Sequence, residues 1–149
     1  MNPLLNSYKE ARKSFIQAVD KFPKQKREEV LFDKWSLKQL ITHIAGWDNC
    51  IADNVKCLKE GKEPPFYGTV NDFNARSVES GKDWGWDKAY QELIKGGERV
   101  IKEYESLEPE LWNKPFWVGR NSTPEKFLKI VTKHYSHEHL PQVLKYVML

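Results

Sequence analysis

The sequence contains few cysteines. Only two of its 149 residues are cysteine, and Cys50 and Cys57 lie seven positions apart in one predicted helix. Seven helical residues rise about 10 Å, so these thiols are too far apart for a disulfide. We therefore expect reduced, structural thiols, as is usual in a cytoplasmic protein.

Long apolar runs and an excess of one charge are also absent. No stretch approaches the ~20 apolar residues of a membrane-spanning helix, and the N-terminus lacks the basic and apolar regions of a signal peptide. The 24 basic and 21 acidic residues leave a net charge of only +3. This balance gives little support for nucleic-acid binding and argues against disorder. We expect one domain over residues 1–149 with an apolar core.

Apolar residues recur at helical spacing through almost the whole chain, and no segment alternates as a strand does. The spacing predicts helices over about 4–21, 37–59, 70–80 and 86–106, and a last helix that either Ser122 or Thr123 caps. Ser36 and Gln39 form a capping box at the start of the second helix, and Pro124 suits the first position of the last. Four principal helices with one long crossover predict an all-α bundle.

Two features interrupt this helical pattern. The adjacent glycines Gly96 and Gly97 predict either a close helix crossing or a bend, because glycine weakens a helix. The segment 108–121 contains two prolines and a glycine, and is predicted to be a loop that carries the aromatic residues Trp112, Phe116 and Trp117 before the last helix.

The histidines lie on two predicted helices, with His43 on the second and three more within six residues of the last. Imidazole is a common metal ligand, and bundles build metal sites from side chains on facing helices. At about 100° per residue, His134 pairs with Glu138, and Tyr135 pairs with His139. His134 and His139 are about 140° apart, so they cannot easily hold one ion in a regular helix. Both one-turn pairs stay open as ligand sets.

The two pairs differ in their predicted orientation. His134 and Glu138 are predicted to point close to the centre of the apolar face, whereas Tyr135 and His139 lie toward its edge. Pro141 cannot donate a hydrogen bond to the carbonyl of residue 137. We expect this to interrupt the helix and to loosen the rotational spacing of the side chains that precede it.

A pocket is predicted beside the histidines. His43 precedes Trp47 by one turn, which predicts an interhelical cleft with Trp47 as its wall. Phe73 and Trp117 are predicted to add apolar lining, and Asn74 to orient a polar substrate group. Tyr135 of the last helix completes the predicted pocket.

Three segments resemble a known family. WSLKQLITHIAGW at 35–47 resembles the second-helix signature of the DinB-like superfamily, VNDFNAR at 70–76 its third-segment pattern, and HEHLPQ at 137–142 its fourth-helix signature. The superfamily includes bacillithiol S-transferases, mycothiol-dependent maleylpyruvate isomerases and the ClbS/DfsB branch. The resemblance implies an up-down-down-up four-helix bundle, often dimeric, with Ni or Zn at the end of a cleft.

The resemblance also implies metal ligands. The family's helix-two histidine falls on His43. Its fourth-helix pattern of two histidines four apart falls on Tyr135 and His139 in one register, and on His134 and Glu138 in the other. Both registers depart from a three-histidine triad. The implied ligands are therefore His43 with His139 and His134, and Glu138 as an alternative partner.

The implied function is a metal-dependent small-molecule enzyme, either a thiol S-transferase or a hydrolase that acts on electrophilic compounds. Its implied cofactors are a divalent metal, Ni or Zn, and a low-molecular-weight thiol. The alternative is a metal-free helical bundle that binds or sequesters a small molecule or a partner protein. A homodimer is implied by the family, and no nucleic-acid or membrane partner is expected.

Overall fold

The computed structural model describes residues 2–64, 70–115 and 122–147. These residues form helices α1 (Pro3–Lys21), α2 (Leu37–Lys59), α3 (Val70–Ser80), α4 (Trp86–Glu105), α5 (Pro124–Lys133) and α6 (Leu140–Val147). A π-helical turn, His134–His139, joins α5 to α6. Within the described ranges, the one extended pairing is an isolated bridge between Phe32 and Trp35. The predicted all-α fold is confirmed.

Side-chain caps define the starts of two helices. The Ser36 hydroxyl accepts a hydrogen bond from the Gln39 amide at 3.2 Å, and the Gln39 side chain accepts one from the Ser36 amide at 2.9 Å. Thr123 accepts from the Lys126 amide at 3.2 Å, and Pro124 follows it as the first helical residue. Both pairs satisfy amides that have no partner within the helix, so these predicted starts are confirmed.

The core lies where α1 and α2 meet the remaining helices. α2 packs along α4 and also contacts α3, whereas α1 packs against α5, the π turn and α6. The largest fully buried side chains come from α1, α2, α4, α5 and the π turn: Tyr8, Phe15, Val19, Leu37, Leu40, Ile41, Ile44, Ile51, Leu93, Tyr104, Leu128 and Tyr135. Burying this apolar surface supplies most of the driving force for folding.

The two glycines of α4 mark a close approach. A Cβ atom on Gly96 would lie 3.3 Å from the Cβ of Asp48 on α2, and one on Gly97 would overlap the Arg12 side chain. Arg12, from α1, crosses this gap and donates a 2.6 Å hydrogen bond to the carbonyl of Ile94. Of the two predicted explanations, the close crossing is therefore confirmed.

The end of the chain differs from its prediction. The helix does not stop at Pro141 but continues to Val147, and the irregularity precedes the proline. The Leu140 amide donates to the carbonyl of Tyr135, five residues back. Proline lacks an amide hydrogen, so no α-helical bond to the His137 carbonyl is available at this point, and the helix widens there instead of ending.

Other predictions concern the periphery and the cysteines. Trp112 is buried against Tyr104 with ring centroids 5.1 Å apart, while Phe116 and Trp117 lie outside the described residues. Cys50 and Cys57 do not form a disulfide, as predicted. Among the described helices, none has the length and apolar character needed to cross a membrane.

Candidate metal centre

Three histidines from two elements converge in the interior. His43 of α2 is 3% exposed, and His139 of the π turn is 7% exposed. The Nε2 atom of His134 lies 3.4 Å from Nε2 of His43 and 2.8 Å from Nε2 of His139. One nitrogen from each ring can be chosen so that all three lie within 4.8 Å of one another. The three rings thus form one cluster, which we call the histidine cluster.

The π turn is what brings His134 and His139 together. A π turn joins residues five apart by hydrogen bonds, so these residues lie on one face, as residues four apart do in an α-helix. The prediction that His134 and His139 diverge by about 140° assumed a regular helix and is wrong. The expectation that tyrosine or glutamate replaces one histidine of the triad is wrong for the same reason.

The same shift changes the predicted orientation of the neighbouring side chains. Tyr135 lies in the core rather than toward the edge of the face, and its hydroxyl donates a hydrogen bond to the Asp48 carboxylate. The Glu138 side chain, predicted near the centre of the face, is 64% exposed. Its carboxylate lies 3.6 Å from Nε2 of His134, at the edge of the histidine cluster.

Two contacts orient the rings. Nδ1 of His139 lies 2.8 Å from the Gln142 side-chain oxygen, which can only accept, so Nδ1 donates and Nε2 keeps its lone pair toward the cluster. Metal-binding histidines are commonly oriented in this way. Nδ1 of His43 is buried without a hydrogen-bond partner among the described residues. The Trp35 ring, 4.6 Å from the His43 ring, packs against it instead.

Burial keeps the three imidazoles neutral. Burial, together with the proximity of His134 and His139, lowers the pKa of His43 to about 3. Burial and the His139 ring likewise lower the pKa of His134 to about 3. The pKa of His139 is also lowered by burial, although Gln142 and Glu138 act in the opposite direction. Neutral imidazole is the form that binds metal.

This donor set fits a divalent transition metal. Zinc binds imidazole nitrogens at about 2.0–2.1 Å, and three protein ligands with an open position are typical of catalytic sites. Nickel also accepts imidazole ligands. The Nε2 atoms of three neutral rings face one another, which is the imidazole donor set that such an ion binds.

The predicted pocket residues divide into two groups. Trp47 packs on Phe73 of α3 with ring centroids 4.5 Å apart, and its indole N–H donates to the Asn74 side-chain oxygen at 2.7 Å. These three residues join α2 to α3 one turn beyond His43. Tyr135 lies apart from them, 1% exposed, and packs edge-on against Tyr8 and Phe15 of α1.

A buried carboxylate, Asp48, lies on α2 five residues after His43. Burial raises the pKa of Asp48 to about 7, while hydrogen bonding from Tyr135 and the Arg12 charge act in the opposite direction. Burial, together with the charge of the same carboxylate, raises the pKa of Tyr8 well above its ordinary value. This polar group joins α1, α2 and the π turn.

The sequence analysis missed three residues of this region. Gln142 is three positions after His139, and that helical spacing could have placed it beside the ring. Asp48 lies among the apolar positions of α2, and a carboxylate there indicates a buried polar contact. Trp35 precedes the helix, and its contact with His43 depends on the turn that the Phe32–Trp35 bridge closes.

The fold is similar to that of a solved enzyme. The crystal structure of the mycothiol-dependent maleylpyruvate isomerase matches with a TM-score of 0.76 at 14% sequence identity. The match covers 99% of this chain and 60% of that chain, so this protein spans about three fifths of that structure. No curated protein matches the sequence.

The sequence itself also matches a family. The match to the DinB superfamily extends over residues 7–142, which include His43, the whole π turn and Gln142. The chain belongs to the DinB superfamily.

Proposed function

We propose that this protein is a metal-dependent enzyme that acts on small molecules, with His43, His134 and His139 as the protein ligands of one divalent ion. The observation that carries the proposal is the convergence of three imidazole nitrogens within 4.8 Å. Their low pKa values support it, because no proton has to be displaced near neutral pH before an ion binds.

The chemistry proposed is nucleophilic attack on an electrophilic compound. A divalent ion at an open three-histidine site supplies Lewis acidity and lowers the pKa of a bound water or thiol. His43, His134 and His139 would hold the ion, and Gln142 holds His139 in the tautomer that presents Nε2. We propose Trp47 and Phe73 as the apolar wall that receives the electrophile.

The reaction class proposed is thiol transfer or hydrolysis. The structural similarity to a mycothiol-dependent isomerase supports a low-molecular-weight thiol as the cosubstrate. Nickel and zinc are the proposed ions, because both accept imidazole ligands. With water in place of the thiol, the same site would act as a hydrolase.

Metal binding is the first test. Purified protein is loaded with Ni²⁺ or Zn²⁺, dialysed, and assayed for metal content and affinity. We expect one ion per chain and an affinity loss of at least about 100-fold on His43→Ala, His134→Ala or His139→Ala, because losing a ligand exceeds the usual effect of losing its hydrogen-bond partner. His137→Ala is the matched control, since His137 is exposed and contacts Ser136 instead of the cluster.

The result also separates the two candidate functions. If the unaltered protein retains much less than one ion per chain, or if His43→Ala retains as much as His137→Ala, the metal-dependent enzyme is excluded. The metal-free binding protein would then be tested by measuring small-molecule binding directly.

Activity is the second test. The loaded protein is incubated with a small thiol and an electrophilic probe such as monobromobimane, and the adduct is compared with that formed by His43→Ala. Metal-dependent adduct formation with the thiol supports a transferase, and probe hydrolysis without thiol supports a hydrolase. Equal rates for both proteins under all conditions would contradict an enzymatic role for the histidine cluster.

A further inference from the structure

Tyr135 adjoins the histidine cluster in sequence but is not one of its three rings. It follows His134 directly within the π turn, yet its side chain points away from the cluster and is 1% exposed. Its ring packs edge-on against Tyr8 at 5.8 Å and Phe15 at 5.4 Å. The Tyr135 ring therefore packs the π turn against α1, on the side away from the histidine cluster.

The Tyr135 hydroxyl makes the second attachment, to α2. It donates a hydrogen bond to Asp48, whose carboxylate is 1% exposed. Asp48 and His43 lie five residues apart on one regular helix. One hydrogen bond thus connects the helix that carries His43 to the turn that carries His134 and His139.

The π turn has a competing arrangement that this attachment opposes. In a regular α-helix, Tyr135 and His139 would share one face, so a core position for Tyr135 would draw His139 in the same direction. In the structure, Tyr135 points to α1 and Asp48 while His139 points to His134 and His43. π turns are rare, and here the contacts of Tyr135 with Tyr8, Phe15 and Asp48 oppose the regular-helix arrangement.

We propose that Tyr135 and Asp48 are positioning residues, and that their hydrogen bond holds the π turn in the rotation that faces His134 and His139 toward His43. The inference rests on the proposed metal site and names the contact that assembles it. Neither residue is a ligand, and both act through the histidines.

The test compares the zinc affinities of two variants, each of which lacks one tyrosine hydroxyl. Tyr135→Phe keeps the ring and removes only the hydroxyl. Tyr104→Phe is the matched control, because Tyr104 is also 1% exposed and its hydroxyl donates at 2.7 Å to the carbonyl of Pro124, outside the histidine cluster. We expect the zinc affinity of Tyr135→Phe to fall about 10-fold or more, as for other residues that orient ligands, and that of Tyr104→Phe to stay within about twofold.

Two substitutions of Asp48 test whether the hydrogen-bond acceptor itself is what matters. Asp48→Asn keeps a side-chain oxygen that can accept from Tyr135, whereas Asp48→Leu removes the acceptor. We expect Asp48→Asn to bind zinc nearly as well as the unaltered protein, and Asp48→Leu to fall with Tyr135→Phe. A general loss of stability would not separate the two substitutions in this way.

A metal-free measurement keeps this inference distinct from the proposed function. The imidazole ¹⁵N resonances of His134 and His139 are recorded without metal in the unaltered protein and in both tyrosine variants. We expect Tyr135→Phe to shift them and Tyr104→Phe to leave them unchanged. If the unaltered protein binds no ion, the proposed function fails while these resonances still decide the inference. Equal behaviour of the two tyrosine variants in affinity and resonances would overturn it.

Discussion

The two halves of the histidine cluster come from helices of opposite character. α2 is regular over 23 residues, begins at a capping box and contributes one ligand candidate, His43. The C-terminal half passes from α5 through a π turn into α6 and contributes two, His134 and His139. Spacing predicted the bounds of α2 correctly, but it did not predict which side chains share a face in the second half.

The comparison shows that one additional residue in a helical turn changes which side chains share a face. A π turn accommodates one residue more than the equivalent α-helical turn, so it changes which side chains share a face without ending the helix. In α2, residues four apart share a face, as His43 and Trp47 do. In the C-terminal half, residues five apart do so, which is why the pairs expected from a regular helix are not the pairs observed.

The largest expected effect comes from shortening the C-terminal half at two different points. Deleting Ser136 from the π turn leaves His134 four residues before the second histidine, which is the α-helical spacing for one face. We expect cooperative unfolding and a zinc affinity within about 10-fold of the original, because the pair remains together. Urea denaturation followed by circular dichroism, together with zinc titration, checks both.

Deleting Lys129 from the regular helix α5 is the control. That deletion rotates Pro124–Leu128 by about 100° relative to the π turn. Leu128 is fully buried in the unaltered protein, and this rotation would move it out of the core. We expect a loss of about 4 kcal/mol or more in the free energy of unfolding, as for other losses of large core side chains. If deleting Ser136 is as damaging as deleting Lys129, the π turn is not a one-residue insertion in an otherwise regular helix.

The Asp48 carboxylate, which accepts a hydrogen bond from Tyr135, predicts that the free energy of unfolding depends on pH. The pKa of Asp48 is raised to about 7 from an ordinary value of 3.8. Its neutral form therefore stabilises the fold fully below pH 3.8, and that stability is lost as the pH rises toward 7, because only the unfolded state then releases the proton. Relative to the original protein, Asp48→Asn should gain up to about 4 kcal/mol between pH 4 and pH 7.

Urea denaturation of both metal-free proteins at each pH unit measures this difference. The histidines titrate in the same range, but they are present in both proteins and cancel in the comparison. A difference in stability that does not change with pH would show that Asp48 ionises normally in the folded protein.

A smaller effect is expected where α6 supports the cluster. Gln142→Leu removes the acceptor for Nδ1 of His139 while keeping a side chain of similar size. We expect zinc affinity to fall about 10- to 100-fold, since a partner that orients a metal-binding histidine has this influence. Isothermal titration measures it, and Gln142→Glu, which keeps an acceptor oxygen, should retain binding. Equal losses in both variants would contradict the orienting role.

The smallest effect concerns the start of α2. Ser36→Ala removes the hydroxyl that caps the Gln39 amide and should lower the free energy of unfolding by about 1 kcal/mol. Zinc affinity should not change, because His43 lies two turns into a helix that packing holds. Thermal denaturation and zinc titration test the two statements. A loss of affinity would show that the regular half is less rigid than the comparison implies.

The helices and most of their ends follow from local chemistry. The α2 boundaries, the Thr123 cap and the assignment of the chain to an all-helical fold were predictable because capping residues and apolar spacing act over a few neighbouring residues. His43 could be named as a candidate site residue for the same reason, since it lies one turn from Trp47 on a regular helix.

The assembly of the cluster was not predictable in this way. His134 and His139 could be named as candidates, but whether they share a face depends on a turn type that spacing alone does not reveal. Asp48 was missed because its partner, Tyr135, is 87 residues away along the chain. The Trp35 contact with His43 likewise depends on how the preceding turn folds back.

By itself, the sequence of this protein determined where its helices begin, which of their faces are apolar, and that imidazoles lie on two of them. Only the tertiary structure decided that three of those imidazoles meet. Helix starts and faces depend on contacts within one or two turns, whereas the rotation of the π turn depends on contacts that Tyr135 makes with α1 and α2. Those contacts exist only once the helices have packed together.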